Sequence, residues 1–192
     1  MNRNVLIVTS VSRCFTAQET LRVQDTAAAL RRIGWDVSIL TPAESPILAA
    51  TLAHDVRVYT LPCRLPVRRM GMFLKGLAIA SKAGCSVLHG FDEGAGVAMA
   101  ISRAMRGRIP YVAELHNPET VGDRTVDGAA AVIVPDEETL SRFGAPPPMA
   151  RVSVLPDPHA EMSGSDLTAA EFADAIDGIY TYVMRKHPEI DR

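Results

Sequence analysis

Short apolar runs rich in β-branched residues alternate with longer amphipathic stretches along most of this chain. The runs predict seven β-strands, at residues 4–9, 35–40, 56–61, 86–89, 110–115, 129–134 and 151–155. Stretches with helical spacing predict five helices, at residues 16–33, 68–83, 94–105, 137–143 and 168–185, and residues 43–54 are compatible with a short one. The alternation of strands and helices indicates an α/β protein.

The strand runs are apolar throughout instead of alternating with polar residues. Strands of this kind are buried on both faces and belong to parallel sheets covered by helices on each side. We therefore predict a doubly wound, mostly parallel α/β sheet of about seven strands, in a single Rossmann-like domain over residues 1–157. We expect a linker at 158–167 and then a C-terminal amphipathic helix, at 168–187, that packs back on the same domain.

The C-terminal helix carries the clearest local signals. Thr168 and Glu171 have the spacing of a capping box, in which each side chain bonds the backbone of the other residue. Thr16 and Glu19 have the same spacing at the start of the first helix. The apolar stripe of the C-terminal helix consists of Phe172, Ile176, Ile179 and Val183.

Composition narrows the class of protein. With 47% apolar and 22% charged residues among 192, the chain has the balance of a folded globular protein. A formal net charge of −2 argues against bulk electrostatic binding, so we predict no nucleic-acid partner. Cys14, Cys63 and Cys85 form no CxxC pair, which predicts a reducing, cytoplasmic compartment. No apolar run approaches the ~18 residues that a membrane span needs.

One stretch of the chain is basic and free of acidic residues. Between residues 56 and 91 the basic side chains are Arg57, Arg64, Arg68, Arg69, Lys75 and Lys82. Two interpretations stay open. The stretch is either ordinary solvated surface or a basic surface for peripheral contact with an anionic membrane or a phosphorylated ligand.

The candidate chemistry lies at the strand ends. Ligands of doubly wound sheets bind beyond the carboxyl ends of the strands. Ser10 and Ser12 follow the first strand, residues 89–93 (His-Gly-Phe-Asp-Glu) end the fourth, and residues 114–119 (Glu-Leu-His-Asn-Pro-Glu) end the fifth. Two histidines at the ends of neighbouring strands are either structural or functional, and the pattern alone favours neither.

Several common sites are absent from the sequence. The first strand–helix turn, residues 9–15, contains no glycine, which excludes the dinucleotide fingerprint, and neither a Walker lysine motif nor a GxSxG elbow is present. His89, Asp92 and His116 could hold a divalent ion, but a His-x-x-Asp spacing is common by chance. We predict no cofactor and no metal.

The order of the motifs resembles the N-terminal, acceptor-side domain of retaining glycosyltransferases with the GT-B fold, of the family-4 type. The segments that carry the resemblance are residues 5–9, 27–42, 86–90, 109–116, 130–136 and 152–157. In that family the histidine that ends the fifth strand contacts the donor sugar near the reacting carbon, which implies that His116 is the catalytic residue.

The resemblance also implies a set of substrate-binding residues. The fourth-strand histidine of the family lies by the acceptor cleft, and acceptor hydroxyls are bound from the positions that follow it. In this chain the resemblance implies such roles for His89, Asp92 and Glu93, and the positions at the strand ends add Ser10, Ser12, Asn117 and Glu119 as substrate-binding residues. The acceptor would be a sugar or a lipid phosphate.

The chain departs from the family in two respects. Serines and an arginine replace its glycine-rich first loop, and no two glutamates are eight positions apart, as they are in the family's donor-binding domain. We therefore expect one half of a split sugar transferase, completed by a donor-domain partner chain or by a homo-oligomer. The alternatives are a non-catalytic binding or assembly module that kept the scaffold, and a nucleotide- or sugar-phosphate-binding enzyme of another Rossmann-like class.

Overall fold

A computed structural model describes most of the chain, at residues 2–9, 17–43, 45, 55–62, 68–117, 126–142, 150–156, 158 and 167–187. Its strands are β1 Asn4–Val8, β2 Asp36–Pro42, β3 Arg57–Leu61, β4 Val87–Phe91, β5 Tyr111–Glu114, β6 Ala131–Val134 and β7 Arg151–Val154. The helices among these residues are α1 Ala17–Arg32, α2 Arg68–Ala83, α3 Glu93–Ala104, α4 Glu137–Arg142 and α5 Ala169–Lys186.

The seven strands form one parallel sheet in the order β3-β2-β1-β4-β5-β6-β7. Neighbouring strands are in parallel register throughout, for example Val5 opposite Val37 and Val87. The order reverses between β1 and β4, and at such a switch point the loops separate to leave a crevice at the carboxyl ends of the strands. The predicted doubly wound α/β fold is confirmed, and its switch point lies between β1 and β4.

Each face of the sheet has its own core. Helices α1 and α5 cover one face, where Leu30 and Phe172 pack against strand residues such as Ile7 and Val112. Helices α2 and α3 cover the other face, where Ile101 packs with strand residues such as Leu6 and Leu88. Successive residues of a strand point to opposite faces, so each strand contributes to both cores.

The C-terminal helix packs on the first face and begins as predicted. Thr168 accepts a hydrogen bond from the Glu171 backbone, and the Glu171 side chain accepts one from Thr168, which confirms the capping box. Trp35 fixes the helix from the sheet side, since its Nε1 donates to Asp177 Oδ1 at 2.8 Å and its ring meets Tyr180 edge to face. The predicted division of the chain at residue 157 stays a prediction.

Other expectations differ in detail or fall outside the described residues. β2 continues to Pro42, two residues beyond its predicted end, because Thr41 and Pro42 pair with the end of β3. Thr16 and most of the predicted short helix at 43–54 lie outside the described residues. Among the helices that are described, none is both long enough and apolar enough to cross a membrane.

Candidate functional site

The carboxyl end of β5 places an acidic side chain in the protein interior. Glu114 is the last residue of β5 and has no exposed surface. Its neighbours along the chain, Ala113 and Leu115, belong to the apolar core on the opposite face of the sheet. An isolated buried charge is costly, so the carboxylate requires basic partners. It has three, and each comes from a different position in the fold.

Arg22 on α1 is the permanent cation of this cluster. Its Nε donates to Glu114 Oε1 at 2.5 Å, and neither side chain is exposed. Nη1 and Nη2 donate to the backbone oxygens of Pro156 and Leu155, at 2.9 and 3.0 Å. The guanidinium also lies over the Phe172 ring, 4.5 Å from its centroid. One side chain thus joins α1, β5, the segment after β7, and α5.

His89 approaches the other carboxylate oxygen from β4. Its Nε2 lies 3.0 Å from Glu114 Oε2, a close contact without the alignment of a regular hydrogen bond. Its Nδ1 lies 2.6 Å from the Tyr180 hydroxyl on α5. Burial, assisted by the Glu114 charge, raises the pKa of Tyr180 well above its usual value. The phenol therefore keeps its proton, and its hydroxyl stays hydrogen-bonded to His89 Nδ1.

His116, two residues beyond Glu114, is the member of the cluster that lies nearest the protein surface. Its Nε2 is hydrogen-bonded to Glu114 Oε1 at 3.0 Å, and its side chain is 9% exposed. The ring of Phe91 stacks between the rings of His89 and His116, with centroid distances of 4.6 and 6.2 Å. Of the three basic partners of Glu114, His116 is the one with an exposed edge.

The charges of this cluster set its protonation. Burial alone would raise the pKa of Glu114, but the Arg22 guanidinium and the contacts from His116 and His89 hold it well below its usual range. Burial alone would lower the pKa of His116, but the hydrogen bond to Glu114 and the charges of Glu114 and Asp92 raise it. A protonated His116 beside ionised Glu114 is therefore favoured. Such an imidazolium can donate a charge-assisted hydrogen bond, or a proton, to an oxygen placed against it.

Four of the predicted site residues meet in or beside this cluster. His116 and Asn117 donate their backbone N–H groups to Asp92 Oδ1, at 2.8 and 2.9 Å, and Asn117 is exposed. His89 and Asp92 are 0% and 1% exposed, so they lie beneath the surface and not on it.

The remaining predicted residues are placed differently or not described. Glu93 begins α3, and its Oε1 lies 3.8 Å from Arg69 Nη2, a contact between two helices. Ser10, Ser12 and Glu119 lie outside the described residues.

A metal site and the basic stretch can be judged on the same described residues. No three His, Cys, Asp or Glu side chains in the described ranges are grouped to hold a metal ion. In the stretch from 56 to 91, Arg57, Arg69 and Lys82 are exposed, whereas Lys75 Nζ donates to the backbone oxygen of Thr60. Arg64 is among the residues not described.

Comparison with known proteins identifies the family. The model of the family described as Glycosyltransferase Family 4 matches residues 21–157, well over half of the chain. The chain belongs to glycosyltransferase family 4. No curated protein matches it.

Solved structures agree on the fold of this family-4 chain at low sequence identity. MurG of Acinetobacter baumannii has a TM-score of 0.61 and 14% identity, covering 83% of this chain and 47% of MurG. HepE (Alr3699) of Anabaena in complex with UDP-glucose has a TM-score of 0.59 and 16% identity, covering 78% of this chain and 43% of HepE. A sucrose-phosphate synthase chain of Thermosynechococcus elongatus has a TM-score of 0.58 and 14% identity, covering 92% of this chain and 97% of that chain. The family-4 chain thus spans about half the length of MurG and HepE.

Sequence reasoning missed three members of the cluster in this family-4 chain. Glu114 was one of several acids at the strand ends and received no role. Arg22 and Tyr180 occupy buried positions of their helices, beside Val23 on α1 and Ile179 on α5. The available signal was a charged residue within an apolar helix face and a lone acid in an apolar strand, since buried charges are rarely unpaired.

Proposed function

We propose that this chain is the acceptor-side half of a sugar transferase and that a separate polypeptide supplies the donor-binding lobe. The observation that carries the proposal is the His116 ring, which is hydrogen-bonded to buried Glu114 at the carboxyl edge of the sheet and whose side chain is 9% exposed. Membership of glycosyltransferase family 4 supplies the reaction class. The match to about half the length of MurG and HepE supports a need for a second lobe.

The geometry suits the charge changes of sugar transfer. Transfer from a nucleotide-sugar breaks the bond between the sugar carbon and a phosphate oxygen and forms a bond to an acceptor oxygen. Negative charge develops on the leaving diphosphate, and a fixed cation beside it stabilises the transition state. His116, whose protonated form is favoured by Glu114 and Asp92, provides such a donor at the carboxyl edge of the sheet. HepE was solved with UDP-glucose, which makes UDP-sugars the first donors to test.

Reconstitution tests the proposal. The chain would be mixed with a polypeptide that carries a family-4 donor-binding lobe, taken from the neighbouring open reading frame. Transfer from UDP-glucose to short glycans or to polyprenyl phosphate would be measured for each chain and for the mixture. We expect transfer only in the mixture, because the proposed second lobe is needed to bind the donor and to exclude water from it. Robust transfer by the chain alone would overturn the separate lobe, and stable association without transfer would favour the non-catalytic assembly module.

A second observation concerns where the acceptor is met. We infer that α2 contacts an anionic membrane surface, because Met70 and Leu74, one helical turn apart, are 53% and 57% exposed beside the exposed Arg69. Apolar side chains that enter the headgroup region next to arginines are typical of peripheral binding. A lipid-phosphate acceptor would be reached from this surface. Each well-placed basic residue contributes about 1 kcal/mol on anionic lipid.

Vesicle sedimentation tests the membrane contact. The native chain should sediment with vesicles containing phosphatidylglycerol but not with pure phosphatidylcholine vesicles. The double variant Met70→Ser/Leu74→Ser should lose most of the binding. The matched control is Leu21→Ser, since Leu21 is 48% exposed but lies on α1, on the other side of the sheet. Equal binding by the double variant and the control would remove this surface from the account.

A further inference from the structure

The turn between β4 and α3 has an unusual backbone. Its sequence is Gly90-Phe91-Asp92-Glu93-Gly94, and Asp92 adopts φ 45° and ψ −117°. This conformation is strained for any residue with a side chain, and such strain persists only where the surrounding structure enforces it. Residues 90–94 thus have a strained residue midway between two glycines. The strand–turn–helix elbow of hydrolases has the same pattern, with a nucleophile at the central position.

Both glycines are required by close contacts of this turn. A Cβ atom on Gly90 would lie 2.3 Å from Ala95 Cα, and one on Gly94 would lie 2.3 Å from the Val8 backbone oxygen. No real Cβ approaches backbone atoms so closely. The start of α3 is therefore pressed against β1 and β4, and this packing holds Asp92 in its strained conformation.

The strained turn does not direct Asp92 to solvent. The residue is 1% exposed, and its Oδ1 accepts hydrogen bonds from the backbone N–H groups of His116 and Asn117. Its own N–H donates to the backbone oxygen of Glu114 at 2.8 Å. These three hydrogen bonds join the turn after β4 to Glu114, His116 and Asn117 at the end of β5. A nucleophile would need an open approach, which Asp92 lacks.

We propose that Asp92 is a positioning residue, and that the Gly90–Gly94 turn is strained in order to direct its carboxylate to the backbone of His116 and Asn117. With that backbone fixed, the His116 ring stays against Glu114 with one edge exposed. The proposal rests on the proposed function in one respect, namely that His116 is the residue whose position matters.

The charged groups around Asp92 affect its pKa, which makes the role of its carboxylate measurable. Glu19 reaches it from α1 with a side-chain hydrogen bond, and His116 faces it from the segment after β5. Glu93, next to Asp92 in the chain, is instead close to Arg69. Burial raises the pKa of Asp92 to about 7, against the backbone hydrogen bonds and the His116 charge, which lower it. The hydrogen bond with Glu19 also raises the pKa of Asp92, in the same direction as burial.

Nuclear magnetic resonance on the full chain tests the proposal without any transfer assay. The variants are Asp92→Asn, which keeps an oxygen acceptor but removes the charge, and Asp92→Ala, which removes both. The matched control is Asp174→Asn, at an exposed position of α5. The readouts are backbone amide exchange at His116 and Asn117 and the titration midpoint of the His116 ring. The ring signal is assigned with a His116→Gln variant.

Asp92→Ala should speed exchange of both amides by roughly tenfold or more, since each loses a hydrogen bond. Asp92→Asn should keep the amides protected and lower the ring midpoint by roughly one pH unit, because a neighbouring negative charge is gone. If Asp92→Ala does not fold, the ring midpoint in Asp92→Asn decides. A midpoint equal to that of the control, or unchanged amide exchange in Asp92→Ala, overturns the proposal. Because neither readout involves sugar, this result is independent of the proposed transferase function.

Discussion

The two faces of the sheet use the same strands for different purposes. On the face covered by α1 and α5, the ends of β4 and β5 contribute His89 and Glu114, both fully buried and both polar. On the face covered by α2 and α3, the adjacent positions are Leu88, Ala113 and Leu115, which pack in an apolar core. Residues one position apart on the same strand therefore belong to an ionic cluster on one face and to an apolar core on the other.

The difference shows how the fold supports chemistry at its edge. Small residues on the α2 and α3 face allow close approach, as at Gly90 and Gly94, and fix the backbone of the turn after β4. The polar face then holds His116 by its ring, through Glu114, while Asp92 holds it by its backbone. The face covered by α2 and α3 thus fixes the backbone of the turn, and the face covered by α1 and α5 supplies the charged groups that hold the His116 ring.

Removing the acid of the polar face should have the largest effect on stability. Glu114→Gln leaves the Arg22 guanidinium buried without a counter-charge, and breaking such a pair costs about 3–5 kcal/mol. The free energy of unfolding would be measured by urea denaturation. The matched control is Glu138→Gln, whose partner Arg142 lies in an exposed pair and whose loss should cost about 0–1 kcal/mol.

A double variant makes this test sharper. Arg22→Met/Glu114→Leu removes both charges and should cost clearly less than the sum of the single changes, because no uncompensated charge remains. If the costs of the two single changes simply add up in the double variant, Arg22 and Glu114 are not energetically coupled, which would contradict the account.

The pH dependence of stability should reflect Asp92 and His116. The pKa of Asp92 rises from 3.8 to about 7 on folding, chiefly by burial, and that of His116 rises above 6.5. The folded state therefore holds protons that the unfolded chain has released, so stability falls as pH rises. For Asp92 the loss runs from about pH 4 to pH 7, and for His116 it runs above pH 6.5. Glu114, whose pKa is lowered well below 4.5, loses its contribution progressively as the pH falls below about 4.5.

We expect the free energy of unfolding to fall by about 2–4 kcal/mol between pH 4.5 and pH 7.5, at roughly 1.4 kcal/mol per pKa unit. Urea denaturation across this range measures it. Asp92→Asn should flatten the curve, while Asp174→Asn should leave its shape unchanged. A native curve that rises over the same interval would contradict the assigned directions.

The apolar face can be tested by adding one carbon. Gly90→Ala forces a Cβ against the backbone of Ala95 and should cost about 1–3 kcal/mol by overpacking. Gly178→Ala is the matched control, since no described atom lies within 4 Å of its Cβ on α5. Replacing glycine by alanine inside a helix should stabilise the protein by about 0.5–1 kcal/mol. Equal effects of both changes, measured by thermal unfolding, would remove the close-approach argument.

The smallest expected effect concerns the link from α5 to the cluster. Tyr180→Phe removes the hydroxyl that is hydrogen-bonded to His89 Nδ1 and should cost about 1–1.5 kcal/mol. Tyr182→Phe, a partly exposed position of the same helix, should change stability by less than about 0.5 kcal/mol. Urea denaturation of both variants measures the difference. If the two costs are the same, α5 contributes packing to the cluster but no specific hydrogen bond.

The sheet could be predicted from the sequence because its strands obey a strong local rule. A parallel strand buried on both faces is a continuous apolar run, as in residues 5–8, and helices with caps separate such runs. The end of β2 could not be placed because its last pairs, such as Pro42 with Leu61, depend on a strand that follows later in the chain.

The site could be predicted only in part, because it is assembled from distant positions. His116 and Asp92 were recognisable at strand ends, where the fold gathers loops. The role of Glu114 depends on Arg22, 92 positions away, and that of His89 on Tyr180, 91 positions away. No local pattern joins these residues, and the strain at Asp92 is set by backbone packing that the sequence records only as two glycines.

The most direct test of the account is the initial rate of sugar transfer by the reconstituted mixture with His116→Gln in place of the native chain. If the polar face exists to hold His116 for transfer, the rate should fall about 100-fold while the two polypeptides still associate. His187→Gln, at the end of α5, is the matched control and should leave the rate unchanged. A His116→Gln mixture that transfers sugar as fast as this control would contradict the account.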